Sequence, residues 1–136
     1  YNSCMKIILT TMCMILNKSD NTFLVQLREK QDWPGINFPG GHVEEDESIE
    51  QSCIREIKEE TGLNITNLYS PGHIEWCDYA NNKRHLCVIF RTSDFKGELT
   101  SSKEGRVFFI KEENLKNYPL SLDFDKVLEI AKRGLN

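Results

Sequence analysis

The chain has 136 residues, 39% of them hydrophobic, with 17 Lys+Arg against 21 Asp+Glu. That length suits one domain whose core stands without disulfide or metal staples. The hydrophobic share excludes a disordered chain, and no run of about 18 apolar residues exists to cross a bilayer. A net charge of −4 argues against a broad basic surface for polymeric nucleic acid.

Residues 6–16, rich in Ile, Met and Thr, read as a strand. The apolar run within it resembles a signal-peptide core, but Thr10 and Thr11 interrupt it and no small-residue cleavage site follows. Tyr1–Cys4 is expected to be an added or trimmed start. Residues 17–20 form a turn, and residues 23–28 alternate as the second strand of a hairpin. Residues 29–35 are a polar loop containing Trp33. Residues 36–38 are extended, and Pro39-Gly40-Gly41 is expected to break them.

A helix is expected over 47–61, with Asp46 as its N-cap, acids in its first turn and Gly62 as its stop. Ile49, Cys53, Ile54 and Ile57 make one apolar stripe. Residues 64–68 and 73–79 look extended, residues 81–83 turn, and residues 84–93 carry apolar side chains on both faces, as a doubly covered central strand does. Residues 95–97 read as a turn, 106–110 as a strand, 112–115 as a helical turn and 123–132 as a final helix. Helices between and after strands argue for a mixed sheet with helices on its faces.

The five cysteines (Cys4, Cys13, Cys53, Cys77, Cys87) are odd in number, widely spaced and without a CxxC pair. They read as reduced, mostly buried thiols in a cytoplasmic protein. His42, His73 and His85 are scattered and make no metal pair with each other or with a cysteine.

Acidity concentrates in residues 44–60, which hold eight acids and two bases. At roughly 100° per residue, Glu56, Glu59 and Glu60 fall on one helical arc. Like charges so placed cost an isolated helix roughly 0.2–0.5 kcal/mol per pair. Such a face is either solvated or a cation site. The neighbouring apolar stripe and the flexible Gly40-Gly41 favour the second, with Mg²⁺ or Mn²⁺ as the cation that suits carboxylate oxygens.

The stretch from Gly41 to Leu63 resembles the signature box of the Nudix (MutT-like) hydrolases. The box reads Gly, five residues, Glu, seven residues, Arg-Glu, an aliphatic, any residue, Glu-Glu, any residue, Gly and an aliphatic. The chain supplies Gly41, Glu47, Arg55-Glu56, Ile57, Glu59-Glu60, Gly62 and Leu63 without departure. The resemblance implies an α/β/α sandwich, one such domain over residues 1–136, and hydrolysis of a nucleoside diphosphate linked to another moiety.

Carried over position by position, the resemblance makes Glu56, Glu59 and Glu60 metal ligands. Arg55 orients Glu56, Glu47 supports the loop, and Gly40-Gly41 brings backbone close to the ligand. The proton acceptor is Glu56 or Glu104, the latter standing where the family places a further loop glutamate. The Phe95-Lys96-Gly97-Glu98-Leu99 turn, Glu104-Gly105 and Phe108-Phe109 resemble the oxidised-purine nucleoside triphosphatase branch, which points to 8-oxo-dGTP cut to monophosphate and pyrophosphate.

Phe38, Phe90 and Trp33 are candidates for the base slot, each with core or loop packing as its alternative. That branch has an acid pair after the last strand. Residues 117–123 lack it, leaving Asn117 or Asp123 to substitute. Tyr79 keeps a dinucleoside polyphosphate branch open, beside ADP-ribose hydrolysis and a non-catalytic nucleotide-binding module. The expected partner is a nucleotide, with neither polymeric nucleic acid nor membrane, and the expected state is monomer or homodimer.

Overall fold

The computed structural model describes residues 5–135. Tyr1–Cys4, with the reading of it as an added or trimmed start, lies outside the described residues. The first strand, β1 (Lys6–Asn17), runs parallel to β7 (Lys83–Thr92) over ten residue pairs, from Lys6↔Lys83 to Ile15↔Thr92. Strand β6 (Tyr69–Asp78) pairs antiparallel on the far side of β7, which makes β7 internal, as its two apolar faces require.

The other edge of β1 is shared. Its first half pairs with β4 (Gly40–His42), from Thr10↔His42 to Met12↔Gly40. Its end turns into β2 (Thr22–Arg28) through Leu16↔Phe23. Strand β2 then pairs with β3 (Gly35–Asn37) and with β9 (Arg106–Ile110). Where the edge of β1 passes from β4 to β2 the sheet parts, and a cleft opens there.

Alternation sorts the side chains onto two faces. Cys13 and Ile15 of β1, Leu24 of β2 and Phe90 of β7 pack against Cys53 and Ile57 of α1 (Ile49–Thr61). Met14, Val25 and Ile89 face the other way, onto Phe124, Val127 and Ile130 of α2 (Phe124–Ala131). The expected α/β/α sandwich with a mixed sheet is the observed one. The four described cysteines are free, and three of them are buried.

Three local expectations give way. The helix starts at Ile49, capped by Ser48 rather than Asp46. Ser48 Oγ accepts from Gln51 N at 3.1 Å, and Gln51 Oε1 accepts from Ser48 N at 2.8 Å. This reciprocal pair satisfies two orphan donors, which Asp46 does not. The segment 36–38 does break, after Asn37, but Gly40 and Gly41 are themselves extended in β4, where Gly40 lies so close to β1 that a Cβ would run into the Thr11 carbonyl. Residues 95–97 are not a turn. They belong to β8 (Asp94–Gly97), which pairs with β5 (Leu63–Thr66) and closes the α1 face. Gly62 does stop α1, in the left-handed conformation (φ 80°), and its N–H bonds Lys58 O at 3.0 Å.

Candidate active site

Arg55 is the hub of the acidic wall. Its Nε donates to Glu47 Oε2 at 2.9 Å and one terminal nitrogen to Glu47 Oε1 at 2.7 Å, a two-pronged grip. The other terminal nitrogen donates to Glu56 Oε1 at 2.7 Å and to Glu59 Oε2 at 3.1 Å. Arg55 also reaches His42 O at 3.0 Å, which ties α1 to β4. The guanidinium holds the Glu47 carboxyl down at about 2, helped by the Glu44 N–H that donates to it. Glu47 therefore spans the loop before α1 and fixes the helix to it.

Glu60 is only 6% exposed, and its Oε1 accepts from Gln26 Nε2 of β2 at 2.9 Å. Burial first, then the adjoining Glu56, raises its carboxyl to about 9. A carboxylic acid kept neutral beside a second carboxyl is short of a cation. Gly41 lets this crowding happen, because a Cβ there would strike the Glu56 carboxyl group. Among the described residues no three His, Cys, Asp or Glu side chains converge as a finished metal cage. Arg55 bridges Glu56 and Glu59 instead. The donor set nevertheless fits a hard divalent cation: three carboxylates lining one cleft, one of them holding a proton that a cation can replace.

The cleft has a volume of about 790 Å³. Glu56, Glu59 and Glu60 line it, and so do Arg28 at the end of β2, Lys30 just beyond it and Glu104 from the loop before β9. Glu104 reaches the cleft as expected, but paired: Arg28 lies 3.2 Å away and Lys30 3.3 Å.

Aromatic side chains line the cleft as well. Trp76 of β6 meets Trp33 and His85 edge-on, each with ring centroids 5.2 Å away. Its indole N–H donates to Asp123 Oδ2 at 2.7 Å. His85 Nε2 lies 2.8 Å from Thr10 Oγ1. Burial, and then the charge of His42, lower its pKa, so the ring favours the neutral form. Asn37 is 4% exposed, and its Oδ1 accepts from Ser121 Oγ at 2.6 Å.

The aromatic candidates divide. Trp33 lines the cleft. Phe38 also borders it but is 2% exposed, and it packs on Phe23 and Phe124 with ring centroids 5.7 and 5.0 Å away. Phe90 lies in the core under α1, not in the cleft. Asp123 anchors Trp76, and Tyr79 stands 73% exposed outside the cleft. Trp76 and His85 are the residues that sequence reasoning missed. A tryptophan inside a strand otherwise half-exposed was the available signal.

The description of a Nudix domain matches residues 7–128, and the chain belongs to the Nudix family. Within it, the chain is a MutT-like Nudix hydrolase, acting on pyrophosphate bonds. It is 34% identical over 95 residues to an 8-oxo-dGTP diphosphatase of Proteus vulgaris, covering 66% of this chain and 80% of the relative. It is 30% identical over 135 residues to an ADP-ribose pyrophosphatase of Methanocaldococcus jannaschii, covering 88% and 70%. A solved structure from work on MutT of Aliivibrio salmonicida and Vibrio cholerae superposes with a TM-score of 0.78 at 22% identity, covering 94% of this chain and 99% of that one. Among the described residues no helix is long and apolar enough to cross a membrane.

Proposed function

We propose that the protein is a divalent-metal-dependent pyrophosphohydrolase that cuts a (deoxy)nucleoside triphosphate, with 8-oxo-dGTP as the favoured substrate, to monophosphate and pyrophosphate. One observation carries this reading: a single cleft holds the Glu56–Glu59–Glu60 wall and the Trp33–Trp76–His85 aromatics. Its volume lies within the roughly 300–1,000 Å³ of small-molecule sites.

Glu56, Glu59 and Glu60 would hold Mg²⁺, or Mn²⁺ in its place. The bound cation supplies charge neutralisation on phosphoryl oxygens and makes a water more acidic. Glu56 accepts a proton from the attacking water, whose oxygen bonds to phosphorus as the bridging P–O bond breaks toward pyrophosphate. Arg55 keeps Glu56 aimed, while Glu47 keeps Arg55 in place. Gly40 and Gly41 let β4 lie close against β1 and beside the Glu56 carboxyl, which a side chain at either position would prevent. The indole and imidazole rings receive the base, and polar groups around them read its edge.

The name of the archaeal relative favours ADP-ribose as a second substrate class. One experiment tests both: steady-state rates on 8-oxo-dGTP, dGTP, ADP-ribose and diadenosine polyphosphate, with Mg²⁺ and with chelator. Preference for 8-oxo-dGTP, lost with chelator, supports the proposal. Equal rates on all four sink the substrate, and no Mg²⁺-dependent turnover sinks the reaction.

A further inference from the structure

Thr11 interrupts the apolar run of β1 and is 1% exposed, yet its hydroxyl has no hydrogen-bond partner among the described residues. By contrast, Thr10 Oγ1 meets His85 Nε2 at 2.8 Å, and Ser52 Oγ donates to His42 O at 3.2 Å. A buried polar group left unpaired costs stability, and valine has the same branched shape and suits a strand as well. Packing alone gives no reason for the hydroxyl.

Its surroundings supply one. Thr11 lies two residues before Cys13 on β1, so its side chain points to the α1 face, and it borders the cleft. It is the direct partner of Gly41 of β4. Opposed residues of an antiparallel pair carry their Cβ positions about 4.5–5.5 Å apart on one face. Glu56 Oε2 stands where a Gly41 Cβ would be. That oxygen is therefore roughly 5 Å from Thr11 Cβ, a little beyond what an O–H···O bond of about 2.7–2.8 Å can span. Arg55 holds the same carboxyl by its other oxygen, Oε1, at 2.7 Å, using the nitrogen that also serves Glu59.

We infer that Thr11 is a positioning residue for Glu56: when a divalent cation draws Glu56 and Glu59 from Arg55, the Thr11 hydroxyl donates to Glu56 Oε2 and fixes that carboxylate on the cation. This rests on reading the acidic wall as a metal site. Ligating carboxylates are in turn hydrogen-bonded, and losing such a partner weakens metal binding by about 10–100-fold. A donor used only with the cation bound is left over without it, as the Thr11 hydroxyl is.

Thr11→Val and Thr11→Ser test this. In chelator, Thr11→Val should melt as high as the wild type or higher, because it loses an unpaired hydroxyl and no bond. Calorimetric titration with Mg²⁺ should give Thr11→Val a Kd about tenfold weaker. The rise in melting temperature that Mg²⁺ brings should shrink with it. Thr11→Ser keeps the donor and should bind Mg²⁺ within about twofold of the wild type. An unchanged Mg²⁺ Kd for Thr11→Val, an equal loss with Thr11→Ser, or a lower melting temperature of Thr11→Val in chelator overturns the assignment. If the wild type binds no Mg²⁺, the metal site and the assignment fall together. If the affinities shift as stated while no nucleotide is cleaved, the proposed reaction falls and Thr11 keeps its place. If nucleotides are cleaved with Mg²⁺ while Thr11→Val binds it as the wild type does, the place of Thr11 alone falls.

Discussion

The Gln26 amide donates to Glu60 at 2.9 Å, and both side chains are nearly sealed from water, at 2% and 6% exposure. Two neutral donors, the Gln26 amide and the Gly40 backbone, do not offset the burial of a carboxylate beside Glu56, so Glu60 holds its proton up to about 9 against an ordinary 4.5. A folded-state value above the unfolded one means that the folded form binds the extra proton between those two pH values. Stability is full below the lower value and drains as pH rises through the upper one. In chelator, the melting temperature of the wild type should therefore fall from pH 5 to pH 9. Glu60→Gln should flatten that slope and melt higher at the alkaline end. Mg²⁺ should restore the wild type there and bind more tightly as pH rises. Calorimetric scans of both proteins check this, and parallel curves in chelator would falsify it.

Glu47 titrates in the opposite sense. Its folded value, about 2, lies below the ordinary 4.5, so its stabilising contribution is present above 4.5 and is lost as pH falls through about 2. The cause is Arg55, and Lys offers no fork with which to replace it. Arg55→Lys should move the acid-unfolding midpoint upward and cut kcat by about a hundredfold, because Glu56 loses its aim. Acid titration followed by circular dichroism, beside steady-state kinetics, reads both. An unmoved acid midpoint would show that the Glu47–Arg55 grip does not hold the loop.

The acidic wall was legible because a helix turns spacing into a face: Glu56, Glu59 and Glu60 needed only the period of 3.6, whereas Arg55 entered through the resemblance of its box. Gly62 was legible for a similar local reason, since a left-handed stop favours glycine. The helix start was not. Glu47 looked like a first-turn acid, but its carboxylate is drawn to Arg55, eight residues on, and Ser48 takes the cap. Strand β4 was hidden because its pairing partner is β1, far away in sequence, and two glycines carry no strand propensity. Trp76 and His85 meet only through the β6–β7 register, Trp76↔His85, which no local pattern states. Sheet-built parts of the cleft thus escaped a reading that the helix-built part did not.

The capping box gives a stability test free of catalysis. Ser48→Ala removes the acceptor for Gln51 N and should cost about 1 kcal/mol. For a domain of this size that lowers the melting temperature by about 3–5 °C. Asp46→Ala should change it far less. Thermal melts of the two variants decide between the caps, and a larger loss from Asp46→Ala would reverse the assignment.

Asp123 takes the left-handed conformation (φ 63°) and accepts the Trp76 indole N–H at 2.7 Å. Asparagine tolerates that backbone and keeps an acceptor, whereas alanine does neither as well. If the indole receives the base, Trp76→Ala should raise KM for the nucleotide by about tenfold or more, since base–aromatic stacking contributes roughly 1–3 kcal/mol. It should leave the Kd of inorganic pyrophosphate unchanged, because that ligand has no base. Asp123→Ala should raise KM by a smaller factor and alter the tryptophan emission, with Asp123→Asn close to wild type on both readouts. Kinetics on 8-oxo-dGTP with fluorescence spectra provide the check. A fall in kcat at constant KM, or an equal loss of pyrophosphate affinity, would move the base away from Trp76.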